Sequence, residues 1–399
     1  MTQVKIRLTQ PVAASDPVLP AHFLDPAGAA VILGGLGDAE LPTAIAPTAS
    51  SLFGPRGVCL AAETGPLWVA DTGHHRLLGW QTCPQSDRQP ADWVIGQLDF
   101  QQEGQNAKGN PHSASLSVPT GICLCGAGLA VADAWNHRIL IWDTLPQDHN
   151  VPADRVLGQA NFHSGEPNRG QFDTDADRLH WCYGVLYHAG KLLVADTGNR
   201  RILIWNQPPS ENGQPADVVL GQPDFRSRNE NGGGSPTARS MRWCHSMAIW
   251  QGNLVVADAG NNRILIWNGI PTDSNAPCAA VLGQPDFEQV ELNQGQYLPS
   301  AKSLNMPYGV TVIGDWLLVA DTANSRLLGW QGRSDLKALQ NAPADLLIGQ
   351  FDSQSKGENR FYGLPMRDSL CWPYAVQAVG NTLAIADSGN NRILLWRWP

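Results

Sequence analysis

Apolar and polar positions along this chain follow one design six times over. An apolar run closing in Ala-Asp leads to four residues rich in Gly, Asn, His and Thr, then to Arg and an alternating aliphatic stretch that ends in Trp. The copies read VADTGHHRLLGW (69–80), VADAWNHRILIW (131–142), VADTGNRRILIW (194–205), VADAGNNRILIW (256–267), VADTANSRLLGW (319–330) and IADSGNNRILLW (385–396). Their aspartates, Asp71, Asp133, Asp196, Asp258, Asp321 and Asp387, stand 62, 63, 62, 63 and 66 residues apart. Two strand-like runs around a tight turn predict a β-hairpin in each copy.

A shorter apolar run precedes each hairpin, as in GVCL (57–60) and GVTVI (309–313). A run ending in Gly-Gln follows the first five, as in VIGQ (94–97) and VLGQ (156–159). Four strands per period result. Units with two apolar faces must stack, and radial stacking into a closed ring buries every face. The expected fold is therefore all-β: a six-bladed β-propeller of four-stranded antiparallel blades. The sixth copy ends at Trp396-Arg397-Trp398-Pro399 without an outer strand, whereas ILGG (32–35) lies ahead of the first inner strand. Residues 31–35 are expected to supply the outer strand of the C-terminal blade and so remove an exposed edge. Residues 31–399 then form a single propeller domain, with residues 1–30 as an N-terminal extension packed on or near it.

The copies VADTGNRRILIW and VADAGNNRILIW resemble the NHL-repeat signature, in which an Asn-His-Leu-type turn follows Asp and precedes Arg and an aliphatic strand. The resemblance spans nearly all of residues 31–396. It implies a six-bladed NHL-type propeller, a class that includes protein-binding modules, RNA-binding modules, bacterial sensor domains and a zinc-dependent lyase acting on peptidyl hydroxyglycines. Fold likeness does not choose among those activities.

Six equivalent Asp and Arg pairs spread around a ring cannot converge on one substrate, so their five-residue spacing is read as an ion pair fixing each hairpin. The closing tryptophans, Trp80 to Trp396, are read as inter-blade packing. Function is expected where the copies differ. Strand alternation puts the outer-to-inner loops on the same rim as the Asp-to-Arg turns, and these loops run to 17 or 18 residues, a length associated with functional or mobile segments. The connections between third and fourth strands, with their repeated Pro-Ala-Asp, are read as scaffold.

The entries into the six inner strands sharpen this location: SLFGPRG (51–57), SLSVPTG (115–121), RLHWCYG (178–184), SMRWCHS (240–246), SLNMPYG (303–309) and SLCWPYA (369–375). Four carry Pro at the fifth position, and the third and fourth replace it with Cys182 and Cys244. The expected binding rim at the mouth of the channel comprises Arg56, His180, Trp181, Cys182, Tyr183, Arg242, Trp243, Cys244, His245, Tyr308, Cys371, Trp372 and Tyr374. Trp, Tyr and Arg at the centre of a face are the residue types that dominate binding energy, so the leading reading is a non-enzymatic scaffold for a partner protein or peptide, with no cofactor and no catalytic residue. A second reading takes Cys182, Cys244, His180 and His245 as ligands for zinc or another soft divalent ion, in a lyase-like enzyme or a metallocofactor-assembly protein. A third is RNA binding through the rim arginines Arg56, Arg178, Arg239, Arg242 and Arg367.

Composition narrows the choice. With 27 Lys+Arg against 36 Asp+Glu the formal charge is −9, and no basic block stands out, so nucleic acid drops in rank. The opening stretch has no apolar run of signal-peptide length, and a cytoplasmic protein off the membrane is expected, its eight cysteines reduced. No P-loop, G-x-S-x-G or H-E-x-x-H occurs, and the sequence leaves the partner's identity and the oligomeric state open.

Overall fold

Each hairpin becomes the central pair of strands of a blade. A computed structural model describes residues 24–35, 46–333, 335–361 and 363–397, and it shows six antiparallel sheets of four strands. The third blade is typical, with strands Cys182–His188, Lys191–Asp196, Arg201–Trp205 and Val218–Leu220 from the axis outward. Each inner strand packs on the inner strands of both neighbours, and that of the first blade, Gly57–Leu60, meets that of the sixth, Pro373–Val379, which closes the ring. As expected, the N-terminal segment completes the last blade. Val31–Gly34 pairs antiparallel with Arg392–Arg397 in the register Val31 to Leu395 through Gly34 to Arg392.

Residues 24–30 extend that closure. Trp396 donates its indole N–H to the Asp25 carbonyl at 2.8 Å, and the Ala30 N–H bonds the Leu395 carbonyl. The other repeat tryptophans find the same kind of acceptor in their own blade's third-to-fourth connection, as Trp142 does on Val151 at 2.9 Å. The N-terminal segment thus stands in for the connection the sixth blade lacks. Residues 1–23, the first part of the expected extension, lie outside the described residues.

The third-to-fourth connections also shield edges. They reach round the outside of the ring and bond to the free edge of the preceding blade's outer strand: Asn150 N–H to Val94 O, Gly213 N–H to Val156 O, Asn275 N–H to Val219 O, Asn341 N–H to Val281 O and Arg88 N–H to Ile32 O. Unpaired edges invite further strands, and these caps prevent it. In the first four blades 12 residues separate the closing Trp from the fourth strand, a constancy that suits this task, while the fifth connection is longer and carries the short turn Leu336–Leu339.

At the root of every hairpin lies a buried ion pair. Arg201 Nε meets Asp196 Oδ2 at 2.8 Å with both side chains fully buried, and the other five blades repeat the contact at 2.7 or 2.8 Å. The remaining valences go to the loops. Asp196 Oδ1 accepts from the His180 N–H, while the Arg201 guanidinium donates to the carbonyls of Phe225 and Arg178, one in the loop leaving the blade and one in the segment entering it. The pair is therefore a hub for the whole rim as well as a brace for the hairpin. Removing one partner strands the other charge in a dry site, so Arg201→Met is expected to destabilise the protein by about 3–5 kcal/mol. Asp143→Ala, which breaks the half-exposed Arg155 contact, is expected to cost less than about 1 kcal/mol, and urea unfolding of the two variants measures the difference.

Candidate functional site

The long outer-to-inner loops are pinned by a residue that recurs nine positions after each Gln of the Gly-Gln pair: Asn106, Asn168, Asn231, Asn293 and Asn359. Each sits at φ near +50°, a conformation Asn tolerates better than most residues. Its amide pairs with the Asn of the next Asp-to-Arg turn; Asn168 and Asn199, for example, exchange bonds of 3.2 and 2.9 Å. The preceding Gln side chain adds a second clamp, Gln159 Nε2 donating to the carbonyls of His137 and Glu166. The expectation of functional or mobile loops changes accordingly: their tips vary, but their stems are fixed by a repeated amide network.

The entries to the inner strands are held from the neighbouring blade. The last residue of each turn, in the left-handed conformation, offers a side-chain acceptor to the fourth residue of the next entry. His137 Nδ1 accepts from Trp181 N–H at 2.9 Å, Asn262 Oδ1 from Met306 N–H at 2.8 Å and Ser325 Oγ from Trp372 N–H at 3.3 Å. Trp181, Met306 and Trp372 have φ values of 48°, 49° and 50°, an uncommon state for bulky side chains that the surrounding bonds must hold. At the fourth blade the acceptor is replaced by Arg200, and that entry is seated differently, with the Ala259 N–H on the Trp243 carbonyl. His75 is another of these staples, its Nδ1 accepting from Val118 N–H at 3.0 Å.

The result is a face on which apolar side chains project into solvent. Among the described residues, every large hydrophobic side chain that is exposed belongs to this rim. Phe53, Trp181, Trp243 and Trp372 come from the entries, and Trp135 from a turn. Leu98, Phe172, Leu292, Tyr297, Leu298, Phe351, Phe361, Leu364 and Met366 come from the long loops. Trp181, Trp243 and Trp372 are 46%, 40% and 52% exposed.

Inside this ring of indoles lies a second, inner set. The sixth entry position falls at a register shift in five blades, as between Cys182 and Gly184 or between Pro373 and Ala375. Such bulges re-aim a side chain, and here they gather Tyr183, His245, Tyr308 and Tyr374 at the axis. His245 lies 4.9 Å from Tyr183 and 4.3 Å from Tyr308 between ring centroids, and Tyr308 lies 4.5 Å from Tyr374. The Arg56 guanidinium sits 4.8 Å over the Tyr374 ring, and the Tyr374 hydroxyl stands 3.2 Å from His245 Nδ1. Burial, reinforced by Arg56, drives the His245 pKa down to about 3, so the ring is neutral. The inner strands come very close behind this cluster: a Cβ on Gly184 would lie 1.9 Å from the His245 carbonyl oxygen.

The cysteines are elsewhere, which corrects the rim expected from sequence. Cys182 and Cys244 are fully buried, their Sγ atoms 3.2 Å from the carbonyls of Arg138 and Arg201 in the preceding blades. Burial holds both thiols well above the ordinary range. They fill the slot that Pro occupies in other blades, as small apolar residues do. Cys371, 8% exposed, has its thiol pushed up to about 12 by burial. His180 packs edge-on against His137 at 5.2 Å, whereas His245 belongs to the axial stack. The four residues named as metal ligands thus face different surroundings, and among the described residues no group of three or more His, Cys, Asp or Glu side chains is placed to hold a metal. The zinc set does not fit this geometry.

The rim arginines are largely spoken for. Arg178 faces Asp177 at 3.8 Å, Arg242 faces Glu230 at 3.3 Å, Arg239 bonds the Asn275 carbonyl, and Arg367 bonds Asp87. No helix among the described residues is long and apolar enough to cross a membrane.

No protein-family model and no curated protein matches this chain. Among solved structures it is similar to a hydrazine synthase chain from Kuenenia stuttgartiensis, at 11% identity over 91% of this chain and 99% of that one, TM-score 0.49. It is also similar to virginiamycin B lyase from Staphylococcus aureus, at 9% identity over 88% of this chain and 98% of that one, TM-score 0.42. The WD40 propeller domain of Doa1 matches at 10% identity over 95% of this chain and 94% of that one, TM-score 0.43. At that distance each is a likeness of fold.

His137, whose pKa burial and then His180 lower to about 3, must stay neutral to accept from Trp181. Its folded pKa lies below the unfolded value of about 6.5, so its contribution to stability is present above pH 6.5 and is lost as pH falls toward 3. His137→Asn keeps the acceptor, as Asn262 and Asn391 show in their blades. The variant is expected to match the parent within about 1 kcal/mol at pH 7 and to lose less stability between pH 6.5 and 4.5, as followed by urea unfolding.

Proposed function

We propose that this chain is an NHL-type propeller acting as a non-enzymatic scaffold, which docks a partner protein or peptide on the rim formed by Trp135, Trp181, Trp243, Met306 and Trp372. One observation carries the reading: the exposed large apolar side chains of the described residues are confined to the segments of a single rim. Scattered apolar residues are normal on a protein surface, but their confinement to one rim, with four tryptophans among them, favours a binding surface. The partner presents an apolar segment to the indoles, and Arg242 with Glu230 and Arg200 supplies the polar border. Tryptophan gives a large contact area at modest cost in side-chain entropy, and tryptophan and arginine are the residue types enriched where binding energy concentrates.

Phosphate tracking is disfavoured, since four of the five rim arginines named from sequence already serve carboxylates or carbonyls. A cytoplasmic setting belongs to the same proposal, and eight free thiols suit a reducing compartment.

The test is quantitative capture from the source cell with the partner identified by mass spectrometry. Trp181→Ala combined with Trp243→Ala is expected to lower recovery of the partner by about thirtyfold or more, while Glu211→Ala, on an exposed third-to-fourth connection, leaves it unchanged. Equal recovery with both proteins contradicts the rim assignment.

A further inference from the structure

Behind the axial stack lies a cavity of about 230 Å³, bounded by all six inner strands. Its size exceeds the roughly 150 Å³ of an engineered cavity that holds benzene, so it has room for a small ring or short chain with a polar head. Its chemistry is unusually one-sided. The walls are largely aliphatic, with Val185, Ile249, Val310 and Val376 among them, interrupted by the neutral polar side chains of Ser246, Thr311 and Gln377, and Arg56 is the one side chain on the lining that carries a charge, since His245 is held neutral.

Arg56 also differs from the arginines of the hubs and the rim. No carboxylate pairs with it among the described residues; its guanidinium lies over the Tyr374 ring. A guanidinium that ends in an aromatic cage beside an apolar cavity retains donors suited to a planar anion, and a carboxylate matches that fork in two parallel bonds. The single positive charge sets the valence of the guest. A dianion would leave one charge without a cationic partner, since the lining holds no second Lys or Arg, and burying an unpaired charge is costly. A neutral guest would leave the guanidinium without a counter-charge.

We propose that the channel binds a small monocarboxylate with an apolar body, its carboxylate on Arg56 and its body among Val185, Ile249, Val310 and Val376. This site is separate from the rim and does not depend on the docking reading. The same chemistry is offered by a free short-chain or aromatic acid and by the C-terminal residue of a peptide, so both sources are tested.

Hexanoate, phenylacetate and an acetylated peptide ending in Leu with a free carboxylate are titrated into the full chain by calorimetry, beside hexanamide, succinate and the amidated peptide. Saturable one-to-one binding is expected for at least one of the monocarboxylates, with the amides and succinate weaker by about tenfold or more. Arg56→Gln is expected to weaken the acid by a similar factor and Arg56→Lys by less, because Lys keeps the charge and loses the fork. Ile249→Trp, which fills the cavity and leaves Arg56 in place, is expected to abolish binding. The Trp181→Ala, Trp243→Ala protein should bind as the parent does, which separates failure of this site from failure of the rim. Absence of binding by all three acids, equal binding of acid and amide, or binding indifferent to Arg56→Gln in a protein with parental circular dichroism overturns the proposal.

Discussion

The buried Asp and Arg pair at each hairpin root is the contact on which the rest of this molecule depends. A charge pair inside a protein survives only if its remaining hydrogen-bonding capacity is met, because the desolvation penalty otherwise exceeds the attraction. In this ring the capacity is met by the backbone of the loops. Asp196 takes an amide of its own entry segment, Arg201 takes carbonyls from the loops on both sides, and Asn199 bridges to the loop amide of Asn168. Satisfying the pair and ordering the rim are the same event.

That coupling explains how long connections can carry a precise surface. An 18-residue loop left to itself would sample many conformations, at an entropic cost a partner would have to offset on binding. Here the stems are fixed before any partner arrives, and the entries are stapled across blades by His137, Asn262 or Ser325. The indoles of Trp181 and Trp372 are displayed from left-handed backbone that few sequences tolerate, and the register shift just after them turns Tyr183 and Tyr374 toward the axis. Two neighbouring positions thus serve two surfaces: one side chain projects from the rim and the other packs at the axis.

Much of this was legible in the chain itself, for a physical reason. Strand alternation, turn residues and the repeat period are local signals, so the blade count, the strand order and the closing role of Val31–Gly34 follow from spacing alone. The apolar character of the rim was legible in Trp181, Trp243 and Trp372, since entry positions that break the repeat are free of the packing that imposes it. The cysteines were misplaced because Pro and Cys alternate at one position, and sequence does not tell which face of an entry turn that position takes. Burial against the preceding blade's carbonyl decides it. The Asn nine residues after each Gln is visible as a spacing, but its role is not, because its partner is the turn Asn 30 or 31 residues further on, as Asn199 is for Asn168. The staple role of His75 has no local signal, because its partner, the Val118 amide, lies 43 residues away in the next blade.

Hydrogen exchange at the entry amides tests most directly whether the ion-pair hubs hold the rim in place. The amides of Ser117, His180, Arg242 and Asn305, each bonded to a hub aspartate, are predicted to exchange as slowly as those of the central strands at Val131 and Val194. Exchange of these amides at the rate of an unstructured chain, with the central strands still protected, would contradict the account.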